Sequence, residues 1–148
     1  MKLSEILTEQ EHPFKFAYRV ENPHDAKAAK DVFAWATNQY GFSAPMPEIW
    51  IVSHEHMQHA AQRANHHTVI NGQVYGWYSH QYPTKIFLSD RISISKNRKH
   101  AAILVHEIGH YLQDMTERHA KMKPFKPTDV QFLEDDADEL MALWLGQK

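Results

Sequence analysis

Cysteine is absent from the 148 residues. That excludes disulfides and any metal site built on thiolates, and it fits a reducing, cytoplasmic setting. Long apolar runs are absent too: nothing approaches the roughly 18 consecutive apolar residues of a membrane span. The opening stretch MKLSEILTEQEHPF has one lysine and no extended apolar segment behind it, so it does not read as a signal peptide. A surplus of one charge sign is also missing. The net charge is −2 with histidine neutral, which removes the electrostatic reason to expect nucleic acid or a membrane surface as partner. No repeat, low-complexity tract or long linker interrupts the chain, so residues 1–148 read as one domain of ordinary size.

What is present is a core-forming composition and an excess of one residue. Hydrophobic residues make up 43% of the chain, enough to bury a core and to argue against disorder. Twelve residues are histidine, the commonest metal ligand and the side chain that titrates nearest neutral pH.

The apolar spacing predicts a short amphipathic helix over residues 3–10, with Leu3, Ile6 and Leu7 on one side. A stronger helix is expected over 25–40, capped by Asp25, with Ala29, Val32, Phe33, Ala36 and Tyr40 at helical spacing and Gly41 as its C-terminal stop. Residues 48–53 read as a strand and 55–65 as a short polar helix. Residues 67–78 read as a hairpin about Asn71-Gly72, a pair that tolerates the positive φ of a tight turn. A strand at 85–89 follows, then a helix over about 97–116, a basic loop over 118–127, and a last helix over 129–145 opened by the capping box Thr128-Asp129-Val130-Gln131. The expected fold is α+β: a small, mainly antiparallel sheet followed by two helices.

The segment AAILVHEIGHYLQ, 101–113, carries His106-Glu107-Ile108-Gly109-His110, an H-E-x-x-H pattern. Positions i and i+4 share one helix face, so the two imidazoles can reach one zinc ion at about 2.1 Å. Glu107 flanks that point without being forced to bind it, which suits a general base toward a water at the metal. The motif follows Ala101, Ala102, Ile103, Leu104 and Val105. Histidines and a glutamate placed beside so apolar a run are costly to bury unless something satisfies them.

A working zinc site needs a third protein ligand, and three sources offer one. The first is His119, nine residues past the motif; the longer pattern H-E-x-x-H-x-x-G-x-x-H fails, with Gln113 at its glycine position and Thr116 at its histidine position. The second is the His-rich stretch of His54, His56, His59, His66 and His67. The third, favoured here, is the last helix, where Glu134 and Asp138 share a face across small Ala137 and Asp135, Asp136 and Glu139 crowd further charge around them. A divalent cation relieves that repulsion. Glu134 is then the ligand, and Asp138, one turn on, is placed to accept the other ring N–H of His106.

H-E-x-x-H followed on a second helix by E-x-x-A-D (Glu134 to Asp138) resembles the gluzincin metallopeptidases, the thermolysin-like group. The short chain, with KIFLS leading into the motif helix, is similar to minimal gluzincins of the ImmA/IrrE type, common in phages and mobile elements. The likeness covers about residues 85–145. It implies one Zn2+ per chain held by His106, His110 and Glu134, with Glu107 as catalytic base and Asp138 orienting a ligand histidine. The ImmA/IrrE type usually has Asn where this chain has Asp138, so there the chain follows the thermolysin-like pattern.

Two histidines and one glutamate leave zinc's fourth position open, the mark of a catalytic rather than a structural site. The expectation is a cytoplasmic zinc metalloendopeptidase acting on a protein or peptide substrate, with a regulatory protein as the substrate the resemblance suggests. Tyr78, His80, Tyr111 and His119 are candidate donors to the developing oxyanion. Strand 85–89 is expected at the sheet edge, where a substrate peptide can pair. HEHMQH, 54–59, reads as surface histidines, and Trp77 and Tyr78 as packing residues rather than cleft walls. The alternative function is a zinc-containing peptide-binding or regulatory protein that does not cleave. A further alternative is a purely structural zinc closed by a fourth histidine.

Overall fold

The computed structural model describes Phe14 and residues 17–61, 67–70, 73–79, 82–115 and 127–146. The elements run β1 (Tyr18–Arg19), α1 (Pro23–Tyr40), β2 (Glu48–Val52), α2 (His54–Ala61), β3 (His67–Ile70), β4 (Gln73–Trp77), β5 (Lys85–Ser89), α3 (Arg98–Met115) and α4 (Pro127–Gly146). The expected helix over 3–10 lies outside the described residues, as does most of the basic loop.

The sheet has the order β1-β2-β5-β4-β3. It is mixed: β1–β2, β3–β4 and β4–β5 pair antiparallel, while β2 and β5 are parallel, with Ile49 opposite Ile86 and Ile51 opposite Leu88. A parallel pair needs a long crossover, and α2 with the β3–β4 hairpin supplies it. Strand β5 is therefore interior, not the edge strand expected from sequence. Its Ile86, Phe87 and Leu88 are all fully buried, as a strand covered on both faces requires. The edges are β1 and β3. Around Asn71-Gly72, Ile70 stands opposite Gln73, as a two-residue hairpin loop demands; the turn residues themselves lie outside the described residues.

Two cores sit on the sheet. One gathers Ile49, Ile86 and Leu88 with Ala29, Val32 and Ala36 of α1 and the apolar residues of α3. The other gathers Phe14, Trp50, Val52, Met57, Val74, Trp77 and Phe87. Trp77 lies edge-on to Phe14 and tilted against Phe87, and Tyr78 is 2% exposed, so both are packing residues.

Helix α1 starts at Pro23, earlier than expected, because Asn22 rather than Asp25 is its cap: the Asn22 side chain accepts from His24 N and Asp25 N at 2.8 and 3.1 Å. Asp25 instead accepts the N–H of Ser95. Gly41 closes the helix at φ 73°, a left-handed conformation open to glycine. Helix α3 is capped by Asn97, whose Oδ1 accepts from Lys99 N and His100 N. Every residue from Ala101 to Gln113 is buried, so α3 is enclosed on all sides. Helix α4 begins at Pro127, earlier than the capping box suggested. It buries Leu133, Ala137 and Leu140 and leaves Leu143 and Leu145 exposed. Among the described residues no helix is long and apolar enough to cross a membrane.

Candidate metal centre

Helix α3 carries His106, Glu107, His110 and Gln113 into the interior, where each is at most 3% exposed. Two neighbours shape the space around them. On one side α4 comes close because Gly109 meets Ala137: a Cβ at 109 would sit 3.2 Å from both Cα and Cβ of Ala137. On the other side β4 comes close because of Gly76, where a Cβ would meet Glu107 Oε2 and Ile103 Cγ2, each at 2.8 Å. Two glycines thus let a helix and a strand flank the histidine pair.

The approach of α4 brings Glu134 onto the histidines. His110 Nε2 is 3.2 Å from His106 Nε2 and 3.0 Å from Glu134 Oε1, and His106 Nε2 is 3.3 Å from Glu134 Oε2. Donors of a tetrahedral zinc site at 2.0–2.1 Å from the metal stand about 3.3 Å apart; the three separations are each near that length, with the two histidines meeting different oxygens of one carboxylate. Glu107 also offers an oxygen within 4.8 Å of ring nitrogens of both histidines.

Each ring is held from behind. His106 Nδ1 lies 3.0 Å from Asp138 Oδ1, at ion-pair distance although not aligned as a hydrogen bond. His110 Nδ1 meets Gln113 Oε1 at 2.9 Å. Since Gln113 Oε1 can only accept, Nδ1 of His110 carries a proton, and a neutral ring then presents its Nε2 lone pair to the centre. That lone pair faces a carboxylate oxygen at 3.0 Å. Two acceptors in such contact need a proton or a metal ion between them.

The electrostatics agree. Burial alone would lower the pKa of His106, but its hydrogen bond with Glu134 and the charges of Glu107, Glu134 and Asp138 outweigh burial and raise it to about 9. Three carboxylates around one imidazole make a place where positive charge is favoured.

The remaining described candidates have partners of their own. The Tyr78 hydroxyl is bonded to Asp114, with Pro83 O 3.3 Å away; burial and the Asp114 charge push its pKa upward. The Tyr111 hydroxyl donates to Pro45 O, and burial raises its pKa too. Each hydroxyl thus has an acceptor of its own, Asp114 for Tyr78 and Pro45 O for Tyr111. His54 is not a surface residue: it is 5% exposed, with Ser89 Oγ at 2.8 Å from Nδ1 and Gln73 Oε1 at 2.7 Å from Nε2. His56 is exposed. His66, His80 and His119 lie outside the described residues, as do the side chains of His59 and His67.

Sequence reading missed Gln113, Gly76 and Gly109 as parts of the site. The i, i+3 spacing of His110 and Gln113 was a usable signal; the role of Gly76 needs the sheet. Gly76→Ala is expected to cost about 1–3 kcal/mol of stability, because the β-branched Ile103 cannot yield as the Glu107 tip can. Urea unfolding of the two proteins measures it, and equal midpoints would show that β4 is looser against α3 than described. Comparison with protein families, with curated proteins and with solved structures finds no match to this chain.

Proposed function

We propose that the chain is a zinc-dependent peptidase. The observation that carries this reading is the contact of His110 Nε2, His106 Nε2 and the Glu134 carboxylate at 3.0–3.3 Å around one point. His106, His110 and Glu134 would hold the ion, with Asp138 behind His106 and Gln113 behind His110. When bound, zinc polarises a carbonyl and acidifies water. Glu107 then takes the proton of the attacking water and delivers it to the leaving amine, so that one C–N bond is exchanged for a C–O bond.

Because β5 is interior, an extended substrate is assigned instead to β3, the edge strand that touches α3. A regulatory protein remains the proposed substrate type. The non-catalytic alternative draws on one observation: Glu107 is fully buried against Gly76, out of solvent.

Elemental analysis of purified protein tests the proposal. About one zinc per chain is expected, along with cleavage of a peptide library that a chelator abolishes and added zinc restores. Zinc without cleavage would favour the binding protein; no metal would end both readings.

A further inference from the structure

Gln113 is 1% exposed, and its amide is fully committed. Nε2 donates to Leu133 O at 2.8 Å and to Asp136 Oδ2 at 2.9 Å, while Oε1 faces His110 Nδ1 at 2.9 Å. Two of its partners, a carbonyl and a carboxylate, can only accept. The nitrogen must face Leu133 and Asp136, and the oxygen must face His110.

Leu133 and Asp136 bracket Glu134 on the first half of α4. One buried side chain therefore touches a histidine of α3 and the turn of α4 that bears the carboxylate. We infer that Gln113 is the positioning residue of this centre. It selects the His110 tautomer that presents Nε2 as a ligand, and through the same amide it ties α3 to the part of α4 that carries Glu134. Its purpose rests on the zinc reading; its geometry does not. His106 is braced differently, by Asp138 reaching across from α4. The His110 brace comes from its own helix and then crosses to α4.

Two near-isosteric variants separate the two tasks. Gln113→Met removes both hydrogen-bonding functions. Gln113→Glu keeps an acceptor for the Nδ1 proton of His110 but turns a carboxylate oxygen toward Leu133 O and the Asp136 carboxylate. The readouts are the His110 tautomer, from nitrogen-15 NMR of metal-free protein at mildly alkaline pH, and zinc affinity, from competition with a chromophoric chelator.

Wild type and Gln113→Glu are expected to carry the proton on Nδ1, and Gln113→Met to lose that preference. Zinc affinity is expected to fall about 10–100-fold in Gln113→Met, the usual cost of losing the group behind a ligand histidine, and less in Gln113→Glu. A side chain that merely packs would leave the tautomer unmoved. An unprotonated Nδ1 in wild-type His110 would overturn the inference, as would a Gln113→Met protein within about twofold of wild-type affinity. Should Gln113→Met not fold, the tautomers in wild type and Gln113→Glu still decide, since an unprotonated Nδ1 in either refutes it. If wild type takes up no zinc, the functional reading fails while the tautomer comparison still judges Gln113.

Discussion

Replacing Glu107 by Gln is expected to lower peptide hydrolysis by about 10²–10⁴-fold, the usual contribution of a positioned base, while the protein keeps its zinc. The substitution changes one oxygen for an NH2 group, so the packing against Gly76 and Ile103 is preserved. What is lost is the capacity to take a proton next to the two histidines, to whose ring nitrogens Glu107 offers an oxygen within 4.8 Å. Metal content and kcat/KM measured on the same preparation separate the possibilities. Undiminished hydrolysis with zinc bound would remove Glu107 from the mechanism. Loss of zinc along with activity would make Glu107 a ligand rather than a base.

Glu134→Ala is expected to abolish metal retention. The carboxylate bridges the two imidazoles at 3.0 and 3.3 Å, and without it the remaining donors leave a site short of ligands. The loss in affinity is expected to exceed the roughly 10–100-fold cost of removing an outer partner, which is the effect expected for Asp138→Asn. Zinc per chain after dialysis, measured for both variants beside wild type, checks the order. Glu134→Ala protein that keeps its full complement would place the third ligand elsewhere, with His119 and the histidines of residues 54–67 next in line. An Asp138→Asn protein weaker than Glu134→Ala would reverse the two roles.

The ends of the elements differ from the sequence reading where side chains compete for the same task. Asn22 and Asp25 both suit a helix cap, and Asn22 prevails because Asp25 is occupied by Ser95. The histidines of α2 also mislead. HEHMQH looks polar and exposed, yet His54 is drawn inside because Ser89 and Gln73 satisfy both its nitrogens. Those partners come from β5 and β4, and nothing near residue 54 in the chain announces them.

By itself the sequence determined the local parts of this protein. The i, i+4 spacing puts His106 and His110 on one face, and the same spacing puts Glu134 and Asp138 on one face, whatever surrounds them. Apolar periodicity set most helices and strands for the same short-range reason. Only the tertiary structure decided which surfaces meet. The parallel pairing of β2 with β5 moved β5 from edge to interior. The Gly109–Ala137 contact brought two separate helices close enough for Glu134 to lie 3.0 Å from His110. Gly76 made the space in which Glu107 is buried, and Gln113 found its partners on another helix. Such contacts depend on distances between segments far apart in the chain, and those distances follow from how the cores pack, not from the spacing of residues within any one segment.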